Sequence, residues 1–231
     1  MKVLQVENVT VNMNQRTLLQ DISFDMEPGE VTALVGHNGA GKSTMMKTIM
    51  GMYEYTKGDI MINEAYHQHK SFITFKQLVS YLPEEPLLLT ELTVMQHFQL
   101  YGKSYQIAEN KLHDLIEEYT VGFDLQGKLD EYPEALSKGM RQKVQTICSF
   151  LLDTPLLLID EPFMGLDIFA VDYFEALLKR KMEQGTSILI TTHQLDRMKD
   201  FASSFILLQH GVIKNKGPIE AFETITRTSE S

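Results

Sequence analysis

A chain of 231 residues with 43% hydrophobic side chains can bury a sizeable core, so one domain, or one domain with an insertion, is expected. Its net charge of −10, from 21 Lys plus Arg against 31 Asp plus Glu, argues against a nucleic-acid binder, because phosphate-backbone affinity comes mostly from basic side chains. The single cysteine, Cys148, excludes an internal disulfide framework. The N-terminal MKVLQVENVT lacks the apolar core of a signal peptide, and no apolar run approaches 18 residues, so an acidic, soluble, intracellular protein is expected.

In chain order, residues 3–13 and 18–26 read as paired strands, because Ile22, Phe24 and Met26 alternate with polar residues. After a turn at Glu27–Glu30, Val31–Val35 shows no alternation, as expected for a strand covered on both faces. A helix over Thr44–Gly51 follows, then a short strand at Ile60–Ile62 and a polar connection over 63–76. His67 and His69 lie in that connection and read as solvated loop residues, since no partner pattern completes a metal site. Leu78–Leu82 is a further strand. Helical periodicity then runs from 86 to 153, with segments near 92–101, 106–119 and from Ser137 onward. Cys148 falls in the last of these, on an apolar face where a buried thiol is expected. Strands return at Leu156–Ile159, Ser187–Thr191 and Phe205–Leu208, with helices near 169–184 and 194–201 between them. That alternation predicts an α/β fold with a mainly parallel core sheet, an antiparallel N-terminal part and a helical insertion at about 86–153. Residues 1–225 form the expected unit, and 226–231 a polar, frayed tail.

The stretch Gly36–Thr44, GHNGAGKST, stands between a buried strand and a helix with the spacing G-x-x-x-x-G-K-S. This is the context of a phosphate-binding loop. Gly39 and Gly41 let backbone N–H groups close round a polyphosphate, the helix N-terminus adds a positive dipole end, Lys42 adds a point charge, and Ser43 offers a hydroxyl to Mg²⁺. The strand LLLIDE ends in two carboxylates, Asp160 and Glu161, at the sheet edge where ligands of open α/β sheets bind. Asp160 is expected to hold Mg²⁺ with Ser43, and Glu161 to take a proton from an attacking water. His193, two residues beyond Ser187–Thr191, leaves the same edge and is expected to contact the γ-phosphate or the water.

Together with Leu136–Met140, LSKGM, these motifs resemble an ATP-binding cassette over residues 2 to about 220. The resemblance implies a P-loop NTPase fold whose Walker A loop is Gly36, His37, Asn38, Gly39, Ala40, Gly41, Lys42, Ser43 and Thr44. It implies Leu156–Asp160 as the Walker B strand, Glu161 as the catalytic glutamate, Gly165–Asp167 as the D-loop and His193 as the switch histidine. Ser137 and Gly139 match the signature motif. In this family two cassettes pair head to tail, so each ATP lies between one Walker A loop and the signature of the other chain. Asp167, Ser137 and Gly139 are therefore expected to complete a site shared by two copies. SKGMRQK, LPEEPLLLTELTV and FLLDTPLLLIDEPFMGLD are most similar to ATPases of ABC-2-type exporters, the Ecs-type ATPases of Gram-positive bacteria in particular. That implies a separate polytopic membrane subunit, peptides as a cargo class, ATP and Mg²⁺ as ligands, no nucleic acid, and a place on the inner face of the cell membrane. A soluble regulatory cassette is the alternative. A P-loop kinase or GTPase is disfavoured by LSKGM and by the lack of an NKxD run.

Three positions depart from the family pattern. Met13 stands where an aromatic residue usually stacks on adenine, and a thioether stacks less well. Glu84 stands where a glutamine usually meets Mg²⁺; it keeps an oxygen, gains a charge and loses a donor. Lys138 stands where glycine is common, unfavourably placed at a helix N-terminus, so a partner-bound γ-phosphate is expected to offset it. Ser137 can still cap that helix.

Overall fold

The computed structural model describes residues 1–192 and 201–222. In chain order the elements are β1 (Leu4–Met13), β2 (Arg16–Met26), β3 (Val31–Val35), α1 (Lys42–Ile49), β4 (Lys57–Ile62), β5 (Tyr66–His67), α2 (Phe72–Gln77) and β6 (Val79–Leu82). A helical stretch follows, α3 (Val94–Ser104), α4 (Glu109–Gly122) and α5 (Lys138–Phe150), and then β7 (Leu156–Asp160), α6 (Ile168–Glu183), β8 (Ser187–Thr191), β9 (Ser204–Gln209) and β10 (Val212–Pro218).

The strands form two sheets. The smaller has the order β2-β1-β4-β5 and is antiparallel. Its first hairpin turns at Asn14 and Gln15, both left-handed at φ 48 and 62, the pairing a two-residue hairpin turn requires. The larger has the order β10-β9-β3-β8-β7-β6 and is parallel except for its β9–β10 edge. β6 and β7 are parallel neighbours although α3, α4 and α5 separate them in sequence. All five residues of β3, β7 and β8 are buried. Helices therefore cover one face of this sheet and the antiparallel sheet with α1 covers the other. Val31, Ala33, Leu157 and Ile159 join the core shared with Phe98, Ile147 and Phe174, whereas Leu34, Leu156 and Leu158 join Ile22, Met46 and Phe75. Each such side chain contributes about 1.5–3 kcal/mol by leaving water.

Cys148 is fully buried, as expected, and burial pushes its thiol pKa up, which leaves it inert. Two expectations are corrected. The connection 63–76 contains β5 and α2: Phe75 is in the core, and the buried Gln68 amide donates to Thr48 O and Ile49 O (2.5 and 2.7 Å), closing the end of α1. His67 is half-buried rather than solvated, with Nδ1 2.5 Å from Asp59 Oδ2, and the exposed His69 lies against the Tyr55 ring at 4.3 Å. Among the described residues no group of three or more His, Cys, Asp and Glu is placed to hold a metal. β10 was not expected, since its exposed Lys-Asn-Lys run hides the strand pattern. The helix expected near 194–201 lies largely outside the described residues, and the tail 226–231 lies wholly outside them. Among the described residues no helix is long and apolar enough to cross a membrane.

Candidate active site

β3 delivers the chain to the loop Gly36–Gly41, and α1 begins at Lys42. Gly41 caps α1 with φ 109, and a Cβ there would stand 2.9 Å from Leu19 Cδ2, so the start of α1 packs directly on β2. Lys42 is buried and folds back over the loop, donating to Gly36 O at 2.8 Å and His37 O at 3.4 Å. Both acceptors are neutral carbonyls, and a phosphate oxygen is the stronger acceptor for an ammonium. His37 and Asn38 are exposed and Ala40 is buried. The His37 ring lies 4.8 Å from that of His210, in the β9–β10 turn. Beside the loop is a cavity of about 530 Å³ lined by Asn38, Gly39, Gly41, Lys42, Ser43, Thr44, Glu84 and Glu161, with Leu18 at its edge. Two glycines, one cation, two hydroxyls and the unpaired N–H groups opening α1 suit a polyphosphate. The hydroxyl of Ser43 and the carboxylates suit a hard divalent cation.

Asp160 ends β7 with 1% exposure and accepts a hydrogen bond from Thr191 Oγ1 at 2.6 Å. The Glu161 amide donates to Thr191 Oγ1 at 3.0 Å and to Thr191 O at 3.2 Å. One buried threonine of β8 thus locks both acidic residues to the neighbouring strand. Sequence reasoning missed Thr191, because only strand pairing brings it opposite Asp160. Glu161 has φ 47, a left-handed backbone that costs a non-glycine residue about 1–3 kcal/mol and that is kept where the surroundings over-determine it. Burial, with the nearby Asp160 carboxylate, pushes the Tyr81 phenol pKa up, so Tyr81 stays protonated beside Asp160.

Ser137, Gly139, Asp167 and Met13 do not line this cavity. Ser137 caps α5, accepting from Met140 N at 3.2 Å, as its sequence context predicts. A Cβ on Gly139 would lie 2.6 Å from Gly165 O, so the first turn of α5 presses on the 164–166 loop. Asp167 caps α6 through Ala170 N at 2.9 Å and pairs with Lys143 of α5 at 2.7 Å. Those two bonds, Lys143 first, hold its carboxyl below the usual range. Lys138 has an acceptor within its own chain, Glu85 Oε1 at 2.9 Å, on the exposed surface. Met13 is exposed at the tip of the first hairpin, while Leu18 of the same hairpin reaches the cavity. His193 lies outside the described residues.

A family model described as ABC transporter matches residues 19–164. The ABC-type transporter ATP-binding protein EcsA of Bacillus subtilis (strain 168) is 36% identical over 230 residues, covering 95% of this chain and 88% of that protein. The SkfA peptide export ATP-binding protein SkfE of the same organism is 29% identical over 223 residues, covering 96% and 92%. A solved ATP-binding subunit of an ABC transporter superposes with a TM-score of 0.91 at 35% identity, covering 97% of this chain and 93% of that one. With a glycine loop, Glu161 and the buried Asp160 on one sheet edge, and these likenesses across nearly its whole length, the chain belongs to the ABC transporter family as one of its ATP-binding, ATP-hydrolysing members.

Proposed function

We propose that this chain is the ATPase subunit of an exporter, that it works as a head-to-tail pair of identical chains, and that it drives a separate membrane-spanning subunit whose cargo is a peptide. The observation that carries the reading is the single cavity into which the glycine loop, Ser43, Glu84 and Glu161 all open. Lys42 and the loop amides bind phosphate oxygens. Ser43, Asp160 and Glu84 are the residues that would hold Mg²⁺, whose charge screens the β/γ-phosphates. Glu161 accepts the proton of the attacking water, and His193 contacts the γ-phosphate.

A second copy is supported by what this cavity lacks. Ser137 and Gly139 stand outside it at the start of α5, and next to them Ile168 and Phe169 are 69% and 80% exposed at the start of α6. Large apolar side chains so exposed suit a covered interface. The membrane partner is supported by the loop between β6 and α3, where Leu87 and Leu89 are exposed directly after Glu84. The peptide cargo is supported by the likeness to SkfE.

Two departures make predictions. Met13→Tyr should lower the ATP Kd severalfold, since ring stacking contributes on the order of 1 kcal/mol; an unchanged Kd in a fluorescence titration removes Met13 from the base platform. Glu84 adds a second carboxylate to a phosphate cavity, so ATP affinity should depend steeply on Mg²⁺. Glu84→Gln should shrink the ratio of affinities with and without Mg²⁺, and an unchanged ratio places Glu84 away from the metal.

The reading is tested by pull-down. Tagged Glu161→Gln protein, loaded with Mg-ATP, is incubated with detergent-solubilised host membranes and its companions are identified. A stoichiometric polytopic membrane protein is expected. Ribosomal or DNA-associated companions alone would replace transport with a regulatory role.

A further inference from the structure

Away from the phosphate loop, a cavity of about 430 Å³ opens between α4, the end of α5 and the last turns of α6. Its charge runs against that of the chain. Lys111, Arg180 and Lys181 line it with Asp153 as the one acidic residue. The two carboxylates nearby are exposed, at 75% for Asp153 and 46% for Glu118, and pair with two of the cations, Asp153 with Lys111 at 3.7 Å and Glu118 with Arg180 at 2.5 Å. The cations go deeper, and Lys181 is only 7% exposed.

Two of these cations keep unused donors. An ammonium has three donors, and Lys181 Nζ has one acceptor among the described residues, Leu152 O at 2.6 Å. Arg180 lies over the Tyr119 ring and gives Nη1 to Glu118 Oε1 at 2.5 Å, but its Nη2 is buried with no hydrogen-bond partner. Burying charged donors without acceptors is costly. Consistent with that, burial, opposed by Asp153 and aided by Arg180 and Lys111, lowers the Lys181 pKa to about 8. Leu115 and Leu151 supply apolar walls.

We propose that this cavity is a binding site for a small phosphate monoester, its phosphate between Lys181 Nζ and Arg180 Nη2 and its organic part against Leu115 and Leu151. The donor pattern chooses the ligand: Glu118 meets Arg180 and Asp153 meets Lys111, Lys181 is the one cation of the three with no carboxylate partner among the described residues, and an ammonium beside a guanidinium nitrogen suits phosphate oxygens. The walls belong to the helical stretch (α4, α5) and to α6, so occupancy ties the two together. The competing account is that Lys181 only closes the end of α5 through Leu152 O.

The test uses the full chain as Glu161→Gln saturated with Mg-ATP, so that the phosphate loop is already filled; ATP retention checks that loading separately. Phenyl phosphate is titrated by calorimetry at constant ionic strength, with chloride as control. Saturable one-site binding is expected, weakened at least tenfold by Lys181→Met. Arg180→Gln, at a partly exposed side chain, should weaken it in the same way if Lys181→Met fails to fold. In carbon-13-labelled protein the Lys181 ε-carbon should titrate near 8 without ligand and at higher pH with it. No saturable binding, or binding that both substitutions leave unchanged, overturns the site and leaves Lys181 as a helix-closing residue.

Discussion

Glu161→Gln is expected to cut ATP hydrolysis by about 10²–10⁴-fold, the range that a positioned general base supplies, while ATP binding stays within about twofold. The geometry separates the two effects. The Glu161 amide is held by Thr191 through the backbone and the hydroxyl, and neither bond involves the carboxylate. Glutamine keeps the length and shape of the side chain, so the left-handed turn at position 161 survives the change. What is lost is the basic oxygen, since an amide cannot accept the proton of water at neutral pH. The phosphate loop, anchored by Lys42 to Gly36 O, is untouched. With binding intact and turnover stopped, the ATP-bound pair should accumulate, visible by size-exclusion chromatography in Mg-ATP but not in Mg-ADP. A variant that hydrolyses ATP within tenfold of the native rate would remove Glu161 from the general-base role.

The second large effect is expected at Gly139, which sequence reasoning marks only by motif. Its missing side chain has a structural reason, because a Cβ would stand 2.6 Å from the Gly165 carbonyl oxygen. That neighbour is backbone, so it cannot swing aside as a flexible side chain would. The loop is also pinned a few residues on, where Asp167 caps α6 and pairs with Lys143 of α5. Gly139→Ala must therefore push the first turn of α5 away from the 164–166 loop, at about 1–3 kcal/mol in stability. If that turn completes the site of the other chain, a displacement approaching 1 Å should lower hydrolysis about 100-fold. Nucleotide affinity of the isolated chain should not change, because Gly139 does not line the phosphate cavity. Steady-state hydrolysis and a monomer binding titration, measured side by side, check this. Loss of binding equal to the loss of rate would mean that the damage spreads through the fold.

How far the sequence could be read depended on how local each signal was. β3 and its loop are local: a short apolar run, a full glycine-lysine-serine spacing and a helix start lie within twenty positions, and the structure places them as expected. The start of α5 is local as well, because a serine cap is read from its own neighbourhood, and Ser137 does cap it. The segment 63–76 misled because its polar residues mask two inward ones, Gln68 and Phe75, which only the packed core reveals. The pairings that organise the site are not local at all. Lys138 meets Glu85 across 53 positions, and Asp160 meets Thr191 across 31. Neither charge nor periodicity chooses such partners; the order of strands in the sheet and the packing of α5 do.

Sharing of each catalytic site between two chains is expected to show when inactive variants are mixed. Lys42→Ala removes the phosphate loop's cation, and Gly139→Ala disables the start of α5. Each alone should be near background. In an equal mixture, each mixed pair unites an intact loop from one chain with an intact α5 start from the other. About a quarter of the native rate should return, since random pairing makes half of the dimers mixed and each has one of its two sites whole. A mixture that stays at background would contradict the shared site, and so would a Gly139→Ala chain that is fully active alone.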